Sequence, residues 1–437
     1  MVEKALFLFF LLLPFQFALN PVSGIDLALS RAVAICIGIL FVFERLRLGS
    51  WVFPRQWALF VMSGFFFMAG FSFFWAEEPM WSARKAIFLL SFLPLWFVLM
   101  DVFHRDGRRI PIILARGFFF GSVAMAVVAL MQFLSQFFFS LERVLNFWLT
   151  RIYPIFLGEA FAQSVAIHPS LLVNIAGETI LRATGVFPDP HVAAFYFGMA
   201  IPFGIWFALV AEKEKKTLFL VGSVILFVAD LCTFSRGGYV GLLAMGGIFG
   251  VFALYRYHER INGVWFKKIF FGGVIIFSLA MAVSPVRERL MDTFSIREGS
   301  NSARITLWQE ARGRIAERPW FGYGLGNYPL AVKPSAEYRE PIYIHNTYLD
   351  IWAEMGIIGL FFFLLIFFLP SATFFFRGSF SDVAFPAFLA MTLFLGHSFF
   401  ENILFSVHIF PILLLLTAII ESVQYRMSSW KFHHLKR

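Results

Sequence analysis

The sequence predicts an all-α integral membrane protein, and three observations lead there. Of 437 residues, 59% are hydrophobic and only 14% charged, whereas a soluble domain is about 45–50% apolar and about 25% charged. Aromatic residues make up 19%, with 62 Phe among them. The apolar residues gather in runs that match a bilayer, which roughly 20 residues cross. Two or three water-soluble domains, a disordered chain and a secreted disulfide scaffold are thereby excluded. The chain reads as one polytopic membrane domain over 1–437.

About twelve spans are expected, at 5–20, 26–44, 57–75, 86–103, 110–134, 191–211, 217–234, 238–255, 269–285, 350–369, 383–402 and 405–422. The first run follows Lys4 and ends on Phe17-Ala18-Leu19-Asn20-Pro21 without a small-x-small cleavage site, so it reads as an uncleaved span. One set of loops is short and basic: Arg45/Arg47/Arg55, Arg105/Arg108/Arg109, Lys213/Lys215/Lys216, Arg256/Arg260/Lys267/Lys268, and a tail with Arg426, Lys431, Lys436 and Arg437. All of these fall on one side if the N-terminus is inside. The positive-inside rule then makes both termini cytoplasmic and places two long loops, 135–190 and 286–349, outside. The same bias explains the net charge of +9, which in a soluble protein would point to nucleic acid. Cys36 and Cys232 stand far apart in apolar stretches and indicate neither a disulfide framework nor a zinc site.

In the 135–190 loop, Leu141-Glu-Arg-Val-Leu-Asn-Phe-Trp-Leu149 suits a helix lying on the membrane surface. The 286–349 loop reads as a small folded cap. Ser302 can start a helix through about Ala316, with Ile305, Trp308, Ala311 and Ile315 on one face and Glu310 paired with Arg314 on the other. Pro319 stops it, and Gly322, Gly324 and Gly326 follow in an irregular turn. No strand precedes these glycines and no helix opens at their end, so they are no dinucleotide fingerprint.

Three segments carry polar groups in places that demand a reason. Phe234-Ser-Arg-Gly-Gly-Tyr239 puts Arg236 at the outer end of a span, where a guanidinium costs several kcal/mol unless an anion is near. The competing reading is an arginine snorkelling to the interface, or paired internally with Asp230. Asn301-Ser-Ala-Arg304-Ile-Thr-Leu-Trp308 puts Arg304 in the first turn of the cap helix. The helix dipole disfavours a cation there, unless an anion shares the site with the free N–H groups; otherwise Arg304 is a solvated surface residue. In Tyr343-Ile-His345-Asn346-Thr-Tyr-Leu-Asp350, Asn346 is a credible N-cap, and His345 stands just before a helix entering the bilayer. The positive helix end favours the neutral imidazole that a general base requires, the alternative being a histidine satisfied at the membrane surface. Together, two arginines and a histidine on one face suit a diphosphate clamp with a base.

Metal chemistry finds little support in the sequence: there is no His-Glu-x-x-His and no paired Cys, and Asp189 with His191 would supply only two ligands. Arg31, Asp230, His397, Glu401 and His408 fall within expected spans, where ionisable groups are functional candidates. An ion or proton path through them, in a transporter, is the rival class of function. Their scatter, and the lack of interrupted helices in two matching halves, weigh against it. A non-catalytic scaffold for a membrane assembly is the third class.

Phe234-Ser-Arg-Gly-Gly, Ala303-Arg-Ile-Thr-Leu-Trp, Arg318-Pro-Trp-Phe-Gly-Tyr-Gly-Leu-Gly-Asn327 and His345-Asn-Thr-Tyr-Leu-Asp-Ile-Trp-Ala-Glu-Met-Gly-Ile-Ile-Gly359 resemble the O-antigen ligase/polymerase family over roughly 230–360. Leu181-Arg-Ala-Thr-Gly-Val-Phe-Pro-Asp-Pro-His191 resembles that family's Arg-x-x-Gly-x-Phe-x-x-Pro segment. The resemblance implies a bacterial inner-membrane glycosyltransferase of GT-C-like architecture, with about twelve spans and a large periplasmic loop, here 286–349. It would hand a glycan from an undecaprenyl-diphosphate carrier to an acceptor hydroxyl on the periplasmic side, without metal, nucleotide sugar or other cofactor. Arg236 and Arg304 fall on the family's essential arginines and would hold the diphosphate. His345 falls on its essential histidine and would take the acceptor's proton. Arg182 and Asn346 are further candidate substrate contacts. Lipid A–core is the first expectation for the acceptor; a growing O-antigen or exopolysaccharide chain, or a protein hydroxyl, are the alternatives within the family.

Overall fold

The computed structural model describes the chain apart from residues 23–24, 50–55, 108, 168–169, 176, most of 258–298, 339, 341 and 435–437. The expected span at 269–285 and the basic residues Arg55, Arg108, Arg260, Lys267 and Lys268 therefore lie outside the described residues. In chain order the elements are α1 (Val2–Leu12), a hairpin of β1 (Ala18–Val22) and β2 (Ile25–Ala28), α2 (Leu29–Leu48), α3 (Gln56–Phe71), α4 (Pro79–Asp106) and α5 (Arg109–Ser135). Three short helices follow, α6 (Leu141–Phe147), α7 (Tyr153–Leu157) and α8 (Glu159–Ile167), then another hairpin of β3 (Leu172–Ile175) and β4 (Glu178–Leu181). The rest of the bundle is α9 (Pro190–Val210), α10 (Lys213–Leu231) and α11 (Arg236–Tyr257), the cap helices α12 (Gly299–Glu317) and α13 (Tyr328–Val332), and α14 (Thr347–Arg377), α15 (Ala384–His397) and α16 (Phe410–His434).

Among the described residues six helices are long and apolar enough to cross a membrane: Gln56–Phe74, Pro79–Arg105, Arg109–Ser135, Pro190–Val210, Arg236–Arg256 and Thr347–Arg377. This is a multi-pass, largely helical membrane protein, with half of the twelve expected spans meeting that measure. α2 and α10 occupy two more expected positions, but Arg31, Glu44, Arg45 and Arg47 in one and Lys213, Glu214, Lys215 and Lys216 in the other make them more polar. α15 and the apolar part of α16 are shorter. The first expected span, 5–20, is corrected: α1 ends at Leu12, a 3₁₀ turn carries Pro14, and the chain turns into β1. Proline supplies no N–H to continue the helix.

The bundle is organised around α9, whose most apolar window is 89% buried. α5, α10, α11 and α15 pack against it. Phe118, Phe187, Phe195 and Phe203 fill the space without polar atoms to satisfy. A helix is present over the expected 141–149 segment as α6, extended by a π turn over Trp148–Ile152. The two antiparallel hairpins depart from an all-helical reading; strands of four or five residues are too short for alternation to announce them.

The cap is tied to the bundle by the glycine segment. Gly356 has φ 69° and ψ −176° and breaks α14 inside its length. The carbonyls freed there take new partners: Tyr323 N–H donates to Ala353 O at 2.8 Å and Gly324 N–H to Glu354 O at 2.9 Å. Ile357 N–H donates in turn to Pro319 O at 2.9 Å, and the Trp352 indole reaches the same oxygen at 3.1 Å. Asn327 closes the other side, accepting from Glu78 N at 2.7 Å and donating to Ser82 Oγ at 3.0 Å. Lys85 Nζ bonds both oxygens of Glu354 at 2.9 Å. The run Pro319 to Asn327 is thus a clasp between α4 and the broken α14.

A side chain at 356 would put its Cβ 2.0 Å from Trp320 O, at a φ that favours glycine. Gly356→Ala is therefore expected to cost on the order of 3 kcal/mol. The thermal unfolding midpoint of the detergent-solubilised protein, followed by tryptophan emission, checks it.

Candidate active site

At the cap end of the bundle three helices begin side by side, each with a side-chain cap. Asp189 Oδ1 accepts from His191 N and Val192 N at 2.8 and 2.9 Å at the start of α9. Ser235 Oγ accepts from Gly238 N at 3.2 Å where α11 begins. Asn346 Oδ1 accepts from Tyr348 N and Leu349 N at 3.0 and 3.1 Å, so the N-cap expected from the sequence is the one observed. Each helix start brings partial positive charge and N–H groups that favour an anion.

Between them stands Glu401, 5% exposed, in the turn that follows α15. Its Oε1 accepts from Arg304 Nη2 at 2.6 Å, and its Oε2 faces His345 Nδ1 at 3.0 Å. His191 Nε2 approaches Oε1 at 3.4 Å. The Glu401 backbone is fixed as well, since Thr347 Oγ1 donates to Glu401 O at 2.6 Å and Thr347 N to Ser398 O at 2.9 Å. Arg304 and His345, expected to work together, are held on the two oxygens of one carboxylate. The expected span 383–402 would keep Glu401 inside a helix; α15 instead ends at His397, and the extra turn of chain delivers the carboxylate to the site.

His345 sits at φ 52°, one of two described non-glycine residues with positive φ; the other is Phe234, at 50°, two residues before Arg236. Strain of about 1–3 kcal/mol each is typical of such positions and persists where the surroundings over-determine them. For His345 the surroundings are Glu401 and the Trp308 indole, which donates to Ile344 O at 3.1 Å. The His345 side chain remains 38% exposed, so its Nε2 is accessible while Nδ1 is oriented.

Arg236 opens α11 directly after Ser235 and is buried. The glycines behind it serve helix packing: a Cβ at Gly237 would lie 2.4 Å from the His397 ring, and one at Gly238 would lie 2.9 Å from Ala194 Cβ. Ser235 Oγ lies 2.9 Å from His191 Nδ1, which links the Arg236 turn to the Glu401 cluster. Arg182 is 5% exposed, with Nε donating to Thr233 O at 2.6 Å and Nη1 to Ser170 O at 3.2 Å. It clamps the turn that leads into Ser235 and Arg236.

Two expectations about the cap helix are corrected. α12 begins at Gly299, so Arg304 lies beyond the first turn, and its partner is Glu401 rather than the helix end alone. Arg314 turns to Glu317 at 3.3 Å instead of Glu310. Ala311 and Ile315 are buried as expected, whereas Ile305 is 38% exposed. Asp189 and His191 do not face a common centre: one caps α9 and the other lies between Ser235 and Glu401. Among the described residues no group of three or more His, Cys, Asp or Glu is arranged to hold a metal. The remaining intramembrane candidates are scattered: Arg31 bonds Ser91 Oγ at 3.1 Å, His408 packs edge-on to Phe187, and Asp230 is buried.

The two carboxyls of the site differ in character. Burial pushes Asp189 up to about 6, against the N–H groups it caps. Burial also opposes the charge on Glu401, but His191, His345 and Arg304 outweigh it and hold this carboxyl well below its ordinary value. Glu401 is thus the fixed negative charge among the arginine, the histidines and the helix starts around it. Chemically, the arrangement offers an anion site next to an imidazole whose Nδ1 is oriented by a carboxylate.

These features define the class: a multi-pass, largely helical membrane protein in which an arginine and two histidines meet at one buried carboxylate. The comparisons with known proteins make it more specific. Residues 221–364 match the family model described as O-antigen ligase, so the family resemblance carried by the motifs holds over that segment. An O-antigen ligase of Salmonella typhimurium is 30% identical over 172 residues, 36% of this chain and 39% of its own length. An uncharacterized protein of Haemophilus influenzae is 28% identical over 184 residues, 37% and 44% of the two chains. A Rickettsia conorii protein provisionally named a polysaccharide ligase is 25% identical over 171 residues, again 36% and 39%. The match thus spans about two-fifths of the length of these curated relatives.

Because Glu401 is held below its ordinary value of 4.5, its ionic contacts contribute stability above that pH and lose it as pH falls through the lowered value. Glu401→Gln is expected to cost about 3–5 kcal/mol at pH 7 by stranding Arg304, and to lose less stability than the parent between pH 5 and about pH 3. Thermal unfolding midpoints of both proteins across that range check the sign.

Proposed function

We propose that this protein transfers a glycan from an undecaprenyl-diphosphate carrier to an acceptor hydroxyl at the periplasmic face of the bacterial inner membrane, as an O-antigen ligase with lipid A–core as acceptor. The observation that carries the proposal is the meeting of Arg304 and His345 on Glu401, beside the helix start that bears Arg236.

Glu401 accepts the Nδ1 hydrogen of His345, which leaves the lone pair of Nε2 free to take the acceptor's proton. The acceptor oxygen then attacks the anomeric carbon, and the bond from that carbon to the phosphate oxygen breaks. Its electrons remain on the undecaprenyl diphosphate that departs, and the proton stays on the imidazole as an imidazolium paired with Glu401. Arg236, Arg304 and the N–H groups of the helix starts face the growing charge. Such donors stabilise the leaving group more than the bound substrate, which is the condition for raising the rate and not merely the affinity. The arginines do the charge neutralisation in this scheme, and no metal is assigned a step. Arg182 acts behind them by holding the Thr233 carbonyl, and Asn346 fixes the helix start next to the base.

Arg236→Ala, Arg304→Ala and His345→Ala are each expected to lower transfer by at least about 10³-fold while the protein still inserts in the membrane. Transfer of a defined undecaprenyl-diphosphate glycan to purified lipid A–core, followed by gel mobility of the product, measures this. Retained transfer in all three variants overturns the site; extension of the donor glycan in place of labelling of lipid A–core makes the protein a polymerase.

A further inference from the structure

His191 takes no part in the bond changes just described, yet it touches both sides of the site. Its Nε2 faces Glu401 Oε1 at 3.4 Å, and its Nδ1 lies 2.9 Å from Ser235 Oγ. The partners decide where the hydrogens are. A bare Nε2 lone pair would be repelled by the carboxylate, so Nε2 carries the hydrogen and Nδ1 accepts. Ser235 Oγ–H therefore donates to His191, and the same oxygen accepts from Gly238 N at 3.2 Å. His397 Nε2 approaches that oxygen at 3.4 Å, its ring stacked on Phe195 with centroids 3.6 Å apart. Donors thus run in one direction, from α15 through Ser235 to His191, whose Nε2–H then faces Glu401 Oε1 at 3.4 Å as a charge–dipole contact.

This direction matters once a diphosphate arrives. Arg304 and His191 share Glu401 Oε1, and His345 has Oε2 to itself. A phosphate that draws Arg304 away would leave Oε1 without its strongest donor, free to turn toward His345 or the new anion. The His191 backbone is held by the Asp189 cap and its ring by Ser235, so its Nε2–H stays behind. We propose that His191 is a positioning residue of glycan transfer: anchored by Ser235, it holds Glu401 in the rotamer that orients His345 while Arg304 turns to the diphosphate. The inference rests on the reading of His345 as the base.

The test uses the full chain in the transfer assay, with His191→Leu, His191→Gln and Ser235→Ala. Leucine fills the volume without hydrogen bonds; glutamine can accept from Ser235 and donate to Glu401. His191→Leu is expected to lower kcat at least about tenfold with the donor KM changed less than about threefold, and His191→Gln to restore kcat to within about threefold of the parent. In the leucine variant, Glu401 loses the N–H dipole that faces it and becomes a stronger acceptor for His345 Nδ1–H, so the imidazole holds its proton more tightly. The acidic limb of the kcat profile then moves up by about half a pH unit or more. The groups that face this pair are Arg304 from α12, His191 and Asp189 from the start of α9, His397 from the end of α15 and Asp350 from α14, with Arg182 facing His191 and Asp189 in turn, and all but His191 are unchanged. Ser235→Ala, which changes little volume, is expected to shift kcat in the same direction by about three- to tenfold and serves if the leucine variant does not fold. A parent-like kcat in both His191→Leu and Ser235→Ala overturns the proposal, as does equal loss in the leucine and glutamine variants with an unmoved acidic limb. Full transfer by His345→Ala is a separate result, which removes the reading of the base itself.

Discussion

Glu401 is a buried negative charge that three different parts of the chain converge on. Arg304 comes from the cap helix, His345 from the strained residue before α14, and His191 from the first turn of α9. A carboxylate in an apolar bundle is costly unless paired and hydrogen-bonded, and here the pairing is what assembles the site. The same contact that makes the charge tolerable brings the cap down onto the bundle. Stability and site geometry are therefore not separable in this protein.

A further constraint is the break at Gly356. A helix that enters the bilayer ordinarily keeps all its backbone groups to itself, because lipid offers no partners. α14 gives up two carbonyls, and the glycine segment of the cap takes them. This segment follows α12 directly, so the position of Arg304 depends on how Tyr323 and Gly324 dock on Ala353 and Glu354. His345 lies at the head of the same α14. One break thus aligns the arginine from the cap with the histidine of the span.

The pocket's electrostatics follow from these two features. Helix starts and arginines are gathered where they would repel one another, with Glu401 as the internal counter-charge. A cluster of cations fixed in advance needs little reorganisation if negative charge develops beside it. It must also be held together meanwhile, and a carboxylate that pairs with the arginine serves both ends. The buried Arg182, bonded to the Thr233 and Ser170 carbonyls, does the same for the backbone that carries Ser235 and Arg236.

Composition and local pattern reach the apolar runs, the cap helix with buried Ala311 and Ile315, the Asn346 cap, and the motif residues Arg236, Arg304 and His345. Each is set by local rules, namely bilayer length, helical spacing and N-cap chemistry. Glu401 carries a signal too, an ionisable group in an apolar run, but its meaning turns on where α15 stops. An apolar run is the same to either side of a helix end, so that boundary has no local mark. The tertiary structure alone decided that Glu401 faces His345, that the glycines of the cap close on a broken helix, and that Arg182 turns to backbone carbonyls. Those partners lie tens of residues apart, and the pairing of distant charges and carbonyls is fixed by packing, which spacing along a chain does not encode.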